Sequence, residues 1–222
     1  MKNLLLIFAF ALPSCLFSQL TQDSTSSSRN LRKFDMSVTS GLNISNMPLH
    51  IASPAKYTLA KPQNEYGYFV GMAARMAIFK HFSAKIDVQY AVKGYQLASA
   101  PSTVRYHFGY LDVVPQVHYE FFKNAYLSLG SYWAKRIEQQ TKIDKDQWMN
   151  VESNFADLVK KSDFGLVVGL TVRFQKVYTL IRYQRGIAPV SDLEFTYNRG
   201  DTIKLAKQYN STFQLGLGFN IL

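Results

Sequence analysis

From Phe34 onward, hydrophobic and polar residues alternate with a period of two, a pattern typical of β-strands with one apolar face. In the first such segment, Phe34 and Met36 share one face, while Asp35 and Ser37 share the other. The pattern predicts eight strands, with approximate bounds Phe34–Ile44, Tyr66–Phe79, Phe82–Tyr95, His107–Phe121, Ala125–Ala134, Asp163–Phe174, Val177–Ile187 and Tyr209–Leu222.

The connections between these strands alternate in length. Tight turns are predicted at Lys80-His81, Lys123-Asn124 and Gln175-Lys176. The other connections are longer and cover about Ser45–Glu65, Ala98–Tyr106, Lys135–Ser162 and Ala188–Gln208. An even number of strands with short turns on one side and long loops on the other predicts an all-β fold, an eight-stranded antiparallel up-and-down transmembrane β-barrel. We expect both termini on the periplasmic side and the long loops outside.

The polar face of the strands separates a membrane barrel from a soluble, lipocalin-like barrel, which would place its apolar face inside. Here that face mixes small residues such as Gly71 and Ala73 with charges of both signs, as suits a crowded interior. Enclosed charges must be paired. The sequence therefore predicts a lumenal ion-pair network rather than an open pore, formed by Arg75, Lys85, Asp87, Lys93, Asp112, Glu120, Asp163, Arg173 and Arg182.

Aromatic residues recur near the short-turn ends of the strands. Amphipathic rings gather where hydrocarbon meets lipid headgroups. The pattern predicts a periplasmic aromatic rim made of Phe34, Phe79, Phe82, Phe121, Tyr126, Phe174, Tyr178 and Phe219.

The N-terminus has the layout of a secretory signal: Lys2, an apolar run Leu4–Leu12, and a small residue, Ser18, at the expected cleavage point. We interpret 1–18 as a signal peptide, 19–33 as a flexible periplasmic tail and 34–222 as the barrel. The alternative is a lipoprotein signal in which Cys15 becomes the acylated first residue.

Composition narrows the possible classes. The longest apolar run has nine residues, whereas a membrane-spanning helix needs about 20. A single cysteine among 222 residues excludes a disulfide scaffold and a Cys-based zinc site. The net charge of +10 could suit nucleic acid, but an exported protein rarely meets it, so outer-membrane lipid is the expected partner.

No motif for catalysis or metal binding is present. The histidines form no H-E-x-x-H pair, and no nucleophile elbow occurs. His107, Asp112 and His118 lie in one predicted strand, but Asp112 and His118 would be about 20 Å apart along it. We therefore expect no catalytic residue, metal or cofactor, while an enzyme acting on lipid or peptide stays an alternative.

Two local expectations complete the prediction. Pro115 lies mid-strand and lacks a ladder donor, so we expect a bulge there. In the third long loop, apolar residues recur at helical spacing and predict a short amphipathic helix packed against the rim, formed around Trp148, Val151, Phe155, Leu158 and Val159.

Several stretches together resemble the PorT-type family of outer-membrane β-barrel proteins: Ser18-Gln19, Tyr110–Pro115, Asp163–Leu170, Arg182–Ile187 and Phe213–Phe219. The chain departs from the family pattern by one extra valine before Pro115 and by its ending in Leu222 rather than an aromatic residue. The resemblance implies an integral outer-membrane barrel, and some relatives are implicated in protein secretion and surface motility. It implies no catalytic residue.

We therefore expect a monomeric, non-enzymatic protein of the gram-negative outer membrane with a structural or surface-interaction role. Its loops would contact envelope or secretion proteins. An accessory component of a secretion or motility apparatus is an alternative function, and a passive pore is a further one.

Overall fold

The computed structural model describes residues 34–51, 62–99, 102–144, 147–150, 159–196 and 202–221. The predicted signal peptide and tail lie outside these ranges. The regular structure of the described residues is all β, in thirteen strands: β1 (Phe34–Asn46), β2 (Leu49–Ile51), β3 (Pro62–Gln63), β4 (Glu65–Phe79), β5 (Phe82–Ser99), β6 (Ser102–Phe122), β7 (Ala125–Ile143), β8 (Met149–Asn150), β9 (Ser162–Phe174), β10 (Val177–Gly186), β11 (Ser191–Thr196), β12 (Thr202–Gln208) and β13 (Ser211–Asn220).

Eight of these strands form a closed ring in the order β5-β4-β1-β13-β10-β9-β7-β6, and β6 pairs again with β5. Every pairing in the ring is antiparallel. The first and last strands of the chain close it, with β1 and β13 in register from Ser37 opposite Asn220 to Asn46 opposite Ser211. The predicted eight-stranded antiparallel barrel is confirmed.

The apolar face of each ring strand points outward. Leu42 is 64% exposed and Leu217 is 58% exposed, whereas inward-facing Asp87 and Gln214 are buried. In water such a surface would be unfavourable, while in a bilayer it meets acyl chains. The lipocalin-like alternative requires the opposite orientation and is excluded.

Three neighbouring strands continue far beyond the bilayer. β5, β6 and β7 have 18, 21 and 19 residues, whereas about 9–11 residues cross a membrane. They stay paired to their ends, from Ser99 opposite Ser102 to Val104 opposite Ile143. We call residues 92–99, 102–109 and 136–143 the extension. The predicted strand limits near Tyr95, His107 and Ala134 were too short.

The long loops contain further β-structure. β3 pairs with β5 and β8 pairs with β7 at the two edges of the extension. β11, β12 and β2 form a separate three-stranded antiparallel sheet. Because β8 begins at Met149, the start of the predicted amphipathic helix is not helical; its remaining residues up to 158 lie outside the described ranges. The described residues contain no helix long and apolar enough to cross a membrane.

The predicted bulge at Pro115 is wrong. Val113 opposite Trp133 and Gln116 opposite Gly130 keep one register, so β6 and β7 pass Pro115 without an inserted residue. Between these two points β6 and β7 form no residue pairs, so the backbone N–H that Pro115 lacks is not needed there. The register shifts of this pair of strands lie instead between Gly109 and Tyr110 and near the β6–β7 turn.

Candidate functional site: the polar interior of the barrel

Arg182 of β10 crosses the lumen to β5, four places away around the eight-stranded ring. Its Nη1 donates to Asp87 Oδ2 at 3.0 Å, and its Nη2 donates to Gln89 Oε1 at 2.6 Å. Its Nε donates to Gln214 Oε1 of β13 at 2.7 Å. The side chain is 4% exposed. One side chain therefore ties opposite walls of the barrel together across its centre.

The carboxylate of Asp87 pairs with two cationic side chains in the middle of the lumen, and we call these residues the central layer. Besides Arg182, it pairs with Lys85 at 2.9 Å and accepts a hydrogen bond from Gln116 Nε2 at 2.5 Å. The ammonium of Lys85 also lies 5.3 Å from the ring centroid of Tyr178. Two cations on one buried carboxylate leave the central layer with a positive excess, part of which faces an aromatic ring.

Closer to the extension, Lys93 and Asp112 form a pair at 2.8 Å, with both side chains 0% exposed. The Lys93 ammonium lies 5.3 Å from the Tyr110 ring centroid and 4.7 Å from that of Tyr132. Gln89 Nε2 donates to Asp112 Oδ2 at 3.3 Å. Gln89 therefore links this pair to the central layer, and the two layers form one network.

Asp163 differs from its predicted role. Among the described residues it pairs with none of the predicted lumenal cations. Its Oδ2 accepts hydrogen bonds from the Tyr132 hydroxyl and from Asn210 Nδ2, each at 2.7 Å. Neutral donors thus hold a buried carboxylate that the sequence assigned to the ion-pair network.

At the turn end of the lumen, Asp35 of β1 holds two guanidinium groups. Its Oδ2 accepts from Arg75 Nε at 3.0 Å and from Arg173 Nη1 at 3.1 Å. Both guanidinium groups lie near the Tyr126 ring, at 5.1 and 6.0 Å from its centroid. Asp35 was not among the predicted network residues, although its place on the polar face of the first strand was the available signal.

Three further assignments need correction. Glu120 forms no lumenal ion pair with the described residues; instead its Oε1 accepts the Asn124 backbone N–H at 3.2 Å in the β6–β7 turn. Tyr126 and Tyr178 do not belong to the outer aromatic rim, since they are 8% and 2% exposed and point inward. Both occupy positions of the polar alternation. The rim members on the outward face are Phe34, Phe79, Phe82, Phe121, Phe174 and Phe219, all exposed.

The wall between β4 and β5 has a seam where ladder pairing stops. The pairing begins at Phe69 opposite Ala91, although β4 continues to Glu65 and β5 to Ser99. Asn43 of β1 spans this seam, because its Nδ2 donates to the Tyr68 carbonyl at 3.1 Å and to the Val92 carbonyl at 3.0 Å.

Two other polar contacts hold the same seam. The Gly94 N–H donates to Ser45 Oγ at 2.7 Å, and the Asn43 Oδ1 accepts from Gln214 Nε2 at 2.8 Å. Lumenal side chains therefore satisfy backbone groups that the ladder leaves open. Through Gln214, the seam is connected to Arg182 and the central layer.

An apolar cluster lies inside the barrel toward the extension. It contains buried rings and aliphatic side chains of β5, β6, β7 and β9, together with three buried side chains from outside the strands. Its members are Met47, Tyr95, Phe108, Tyr110, Val114, Tyr132, Ala134, Val159, Val167 and Val190. Loop backbones are joined at Val190 of this cluster, since Lys160 N–H donates to the Val190 carbonyl at 2.6 Å and Val190 N–H donates to the Gln208 carbonyl at 2.8 Å. We call this cluster the lid.

The histidines are separated by the wall of the barrel. His118 is buried inside, and Asp112 of the same strand is bound by Lys93 and Gln89. His107 instead meets Glu65, with Nε2 and Oε1 3.0 Å apart, and stacks on Trp148 with ring centroids 3.9 Å apart. Within the part of the chain that the structure describes, no group of three metal-ligating side chains occurs.

Comparison with known proteins agrees with this architecture. Residues 17–192 match the family described as outer membrane protein beta-barrel domain. No curated protein sequence matches the chain significantly. Similar solved structures include Ail, the attachment invasion locus protein of Yersinia pestis, at 15% identity, covering 85% of this chain and 99% of that chain with a TM-score of 0.43. Neisserial surface protein A is similar at 10% identity, covering 83% and 96% with a TM-score of 0.45.

The outer membrane protein OprG from Pseudomonas aeruginosa is similar at 7% identity, covering 86% of this chain and 97% of that chain with a TM-score of 0.42. The family match covers most of the chain and agrees with the closed ring and its apolar outer face. The chain belongs to the outer membrane protein beta-barrel domain family, and the protein lies in the outer membrane of a gram-negative cell.

Proposed function

We propose that this protein is a monomeric, non-conducting and non-enzymatic barrel that makes protein contacts at the cell surface through its extension. The observation that carries the proposal is the continuous pairing of β5, β6 and β7 up to Ser99, Ser102 and Ile143. A wall needed only to cross the bilayer would end many residues earlier. The additional length presents a rigid sheet to the outside.

The outer face of the extension supports contacts in water rather than in lipid. The Tyr90 hydroxyl donates to Glu138 Oε2 at 3.0 Å, and Gln140 Nε2 donates to Glu138 Oε1 at 2.8 Å. At the far end, Thr103 N–H donates to Asp144 Oδ1 at 2.7 Å. These polar side chains are held by one another, so a partner would meet a surface that is already ordered.

The interior supports a role without conduction or catalysis. Its charged groups are bound to one another across the lumen, and the lid packs buried apolar side chains toward the extension. Outside, the described partners of His107 are Glu65 and Trp148, and no serine or cysteine nucleophile hydrogen-bonds to that ring among the described residues. A neighbouring general base such as histidine is the usual activator of a serine or cysteine nucleophile.

The resemblance to PorT-type barrels suggests which partners the extension would meet. We propose envelope proteins of a secretion or motility apparatus, with this barrel as an accessory component. The three turns at the other end of the barrel are short, which offers little surface there for such a partner.

The test is a shortened extension. Replacing residues 95–106 by a two-residue Asn-Gly turn removes the top of the β5–β6 hairpin, from the pair Tyr95–Tyr106 to the pair Ser99–Ser102. We expect the variant to reach the outer membrane and to keep its shift between boiled and unboiled gel samples, while photocrosslinks to envelope proteins from position 138, an exposed site that the shortened variant keeps, and the secreted proteins of the culture are lost.

A photocrosslinker at Leu217, which faces lipid, is the matched control and should yield no protein adduct. The proposal fails if the shortened, folded barrel supports secretion and partner crosslinking at wild-type levels.

A further inference from the structure

The turn end of the barrel opens into a cavity of about 490 Å³, which we call the vestibule. Residues of all three short turns line it: Lys80 and His81 from the first, Asn124 from the second and Gln175 from the third. Arg75, Arg173 and Tyr126 also line it. It lies at the end opposite the extension and the lid, and no contact described above uses its open volume.

Two guanidinium groups at the vestibule share a single carboxylate oxygen. Arg75 and Arg173 both donate to Asp35 Oδ2, at 3.0 and 3.1 Å. The Nε of Arg173 is buried and has no hydrogen-bond partner among the described residues. A buried donor without a partner costs free energy. The site therefore holds one cation more than Asp35 neutralises, together with an unused donor.

The residues that line the mouth of the vestibule do not cancel this excess positive charge. Lys80 adds a cation, and Glu120 adds a carboxylate whose Oε1 already accepts the Asn124 backbone N–H at 3.2 Å. Each short turn also carries an exposed lysine: Lys80, Lys123 and Lys176. Arg75, Arg173 and Lys80 against Asp35 and Glu120 give a net charge of +1, so the vestibule attracts an anion rather than a metal cation.

We propose that the vestibule binds a phosphate group. The guanidinium fork matches phosphate oxygens, and phosphate presents more acceptors to the several donors around the cavity than a carboxylate does. Two sources share this chemistry: a phospholipid headgroup of the membrane leaflet at the turn end, and free inorganic phosphate. The exposed aromatics Phe79 and Phe82 beside the first turn belong at headgroup level, where the first source is abundant.

Binding is measured on the full barrel protein, purified from outer membranes in octyl glucoside, a detergent without phosphate. Inorganic phosphate and dihexanoylphosphatidylglycerol are titrated separately by calorimetry. Saturable binding of both probes supports a general phosphate site, and saturable binding of the lipid alone assigns the site to headgroups. If neither probe saturates on the folded wild type, the proposal is wrong.

Variants locate the site. Arg173→Gln should weaken binding at least tenfold, whereas Lys142→Gln, which removes a cation at the opposite end of the barrel, should leave the affinity unchanged. Gel mobility of boiled and unboiled samples reports folding. If Arg173→Gln does not fold, Lys80→Gln on an exposed turn is used, with an expected loss of about threefold. Wild-type affinity in every folded vestibule variant would overturn the assignment. Because this site is far from the extension, its failure would leave the proposed surface role intact.

Discussion

At the scale of single residues, Arg182 differs from the other charged lumenal side chains that the structure describes, because its guanidinium donates to acceptors on two strands at once. Three donors of one guanidinium meet acceptors on β5 and β13, and the acceptors are buried. A lysine at this position would keep the charge but would have no planar fork to reach both strands. The energetic role of Arg182 is therefore tied to geometry as much as to neutralising Asp87.

We predict that Arg182→Met lowers the free energy of unfolding by about 3–5 kcal/mol, because it breaks the buried pair with Asp87 and removes the donor to the buried Gln89 Oε1. Arg182→Lys should fall between Met and the wild type. Equilibrium urea unfolding in lipid vesicles, followed by tryptophan fluorescence, measures the change.

Arg185→Met is the matched control for this measurement, since Arg185 is on the same strand but on the outward face. It should change the free energy of unfolding by no more than about 0.5 kcal/mol. Equal stability of the two methionine variants would contradict the role given to Arg182.

At the scale of elements, the alternation of apolar and polar residues along each strand predicts most of the side chains that face inward. It placed Asp87, Arg182 and the other charges on the inward face, because lipid requires an apolar outward face on every spanning strand. It also placed Tyr126 and Tyr178 inward. The rim assignment of these two followed their nearness to a turn instead, and the structure agrees with the alternation.

The sequence analysis missed the extension because it recognised strands by an apolar face that points outward to lipid. In this part of β6 the apolar face changes side: Tyr106 and Phe108 pack inward, whereas Arg105 and His107 alternate with them on the outer face. The apolar-outward pattern that identifies a spanning strand therefore ends before the strand does. The sequence also could not predict which charged side chains pair with one another inside the barrel. Which inward charge meets which, as with Arg173 and Asp35 across the lumen, depends on the stagger of the closed ring, and alternation carries no information about that stagger.

The β4–β5 seam gives a prediction for an element pair. Asn43→Ala removes the donors to the Tyr68 and Val92 carbonyls and should destabilise the barrel by about 1–3 kcal/mol. Amide hydrogen exchange should accelerate at Gly94, whose N–H is held by Ser45 of the same seam.

Asn46→Ala is the control on the same strand, because Asn46 donates only to the exposed Asn64 side chain at 3.1 Å among its described contacts. It should leave both the stability and the exchange at Gly94 unchanged. If Asn43→Ala behaves like Asn46→Ala, the seam is held by backbone packing and not by these side chains.

At the scale of the whole molecule, three barriers lie in series along the lumen. Asp35 with its two arginines lies at the turn end, Arg182 crosses the centre, and the Lys93–Asp112 pair lies beneath the lid. A path for ions would have to pass all three. The interior of an eight-stranded barrel is just wide enough for side chains to fill. The molecule is accordingly a filled cylinder whose useful surfaces are its two ends.

This series arrangement predicts how conduction should respond to mutation. In planar bilayers the wild type should show no discrete conductance, and Arg182→Ala should show none either, because the lid and the Lys93–Asp112 pair still close the path. Steps should appear only when every layer is opened together, that is, when Arg182→Ala is combined with Arg75→Ala and Arg173→Ala at the turn end, with Lys93→Ala, and with the lid substitutions Tyr95→Ala and Phe108→Ala. Discrete openings in the single Arg182→Ala variant would mean that the central crossing is the sole barrier, and the series arrangement would be wrong.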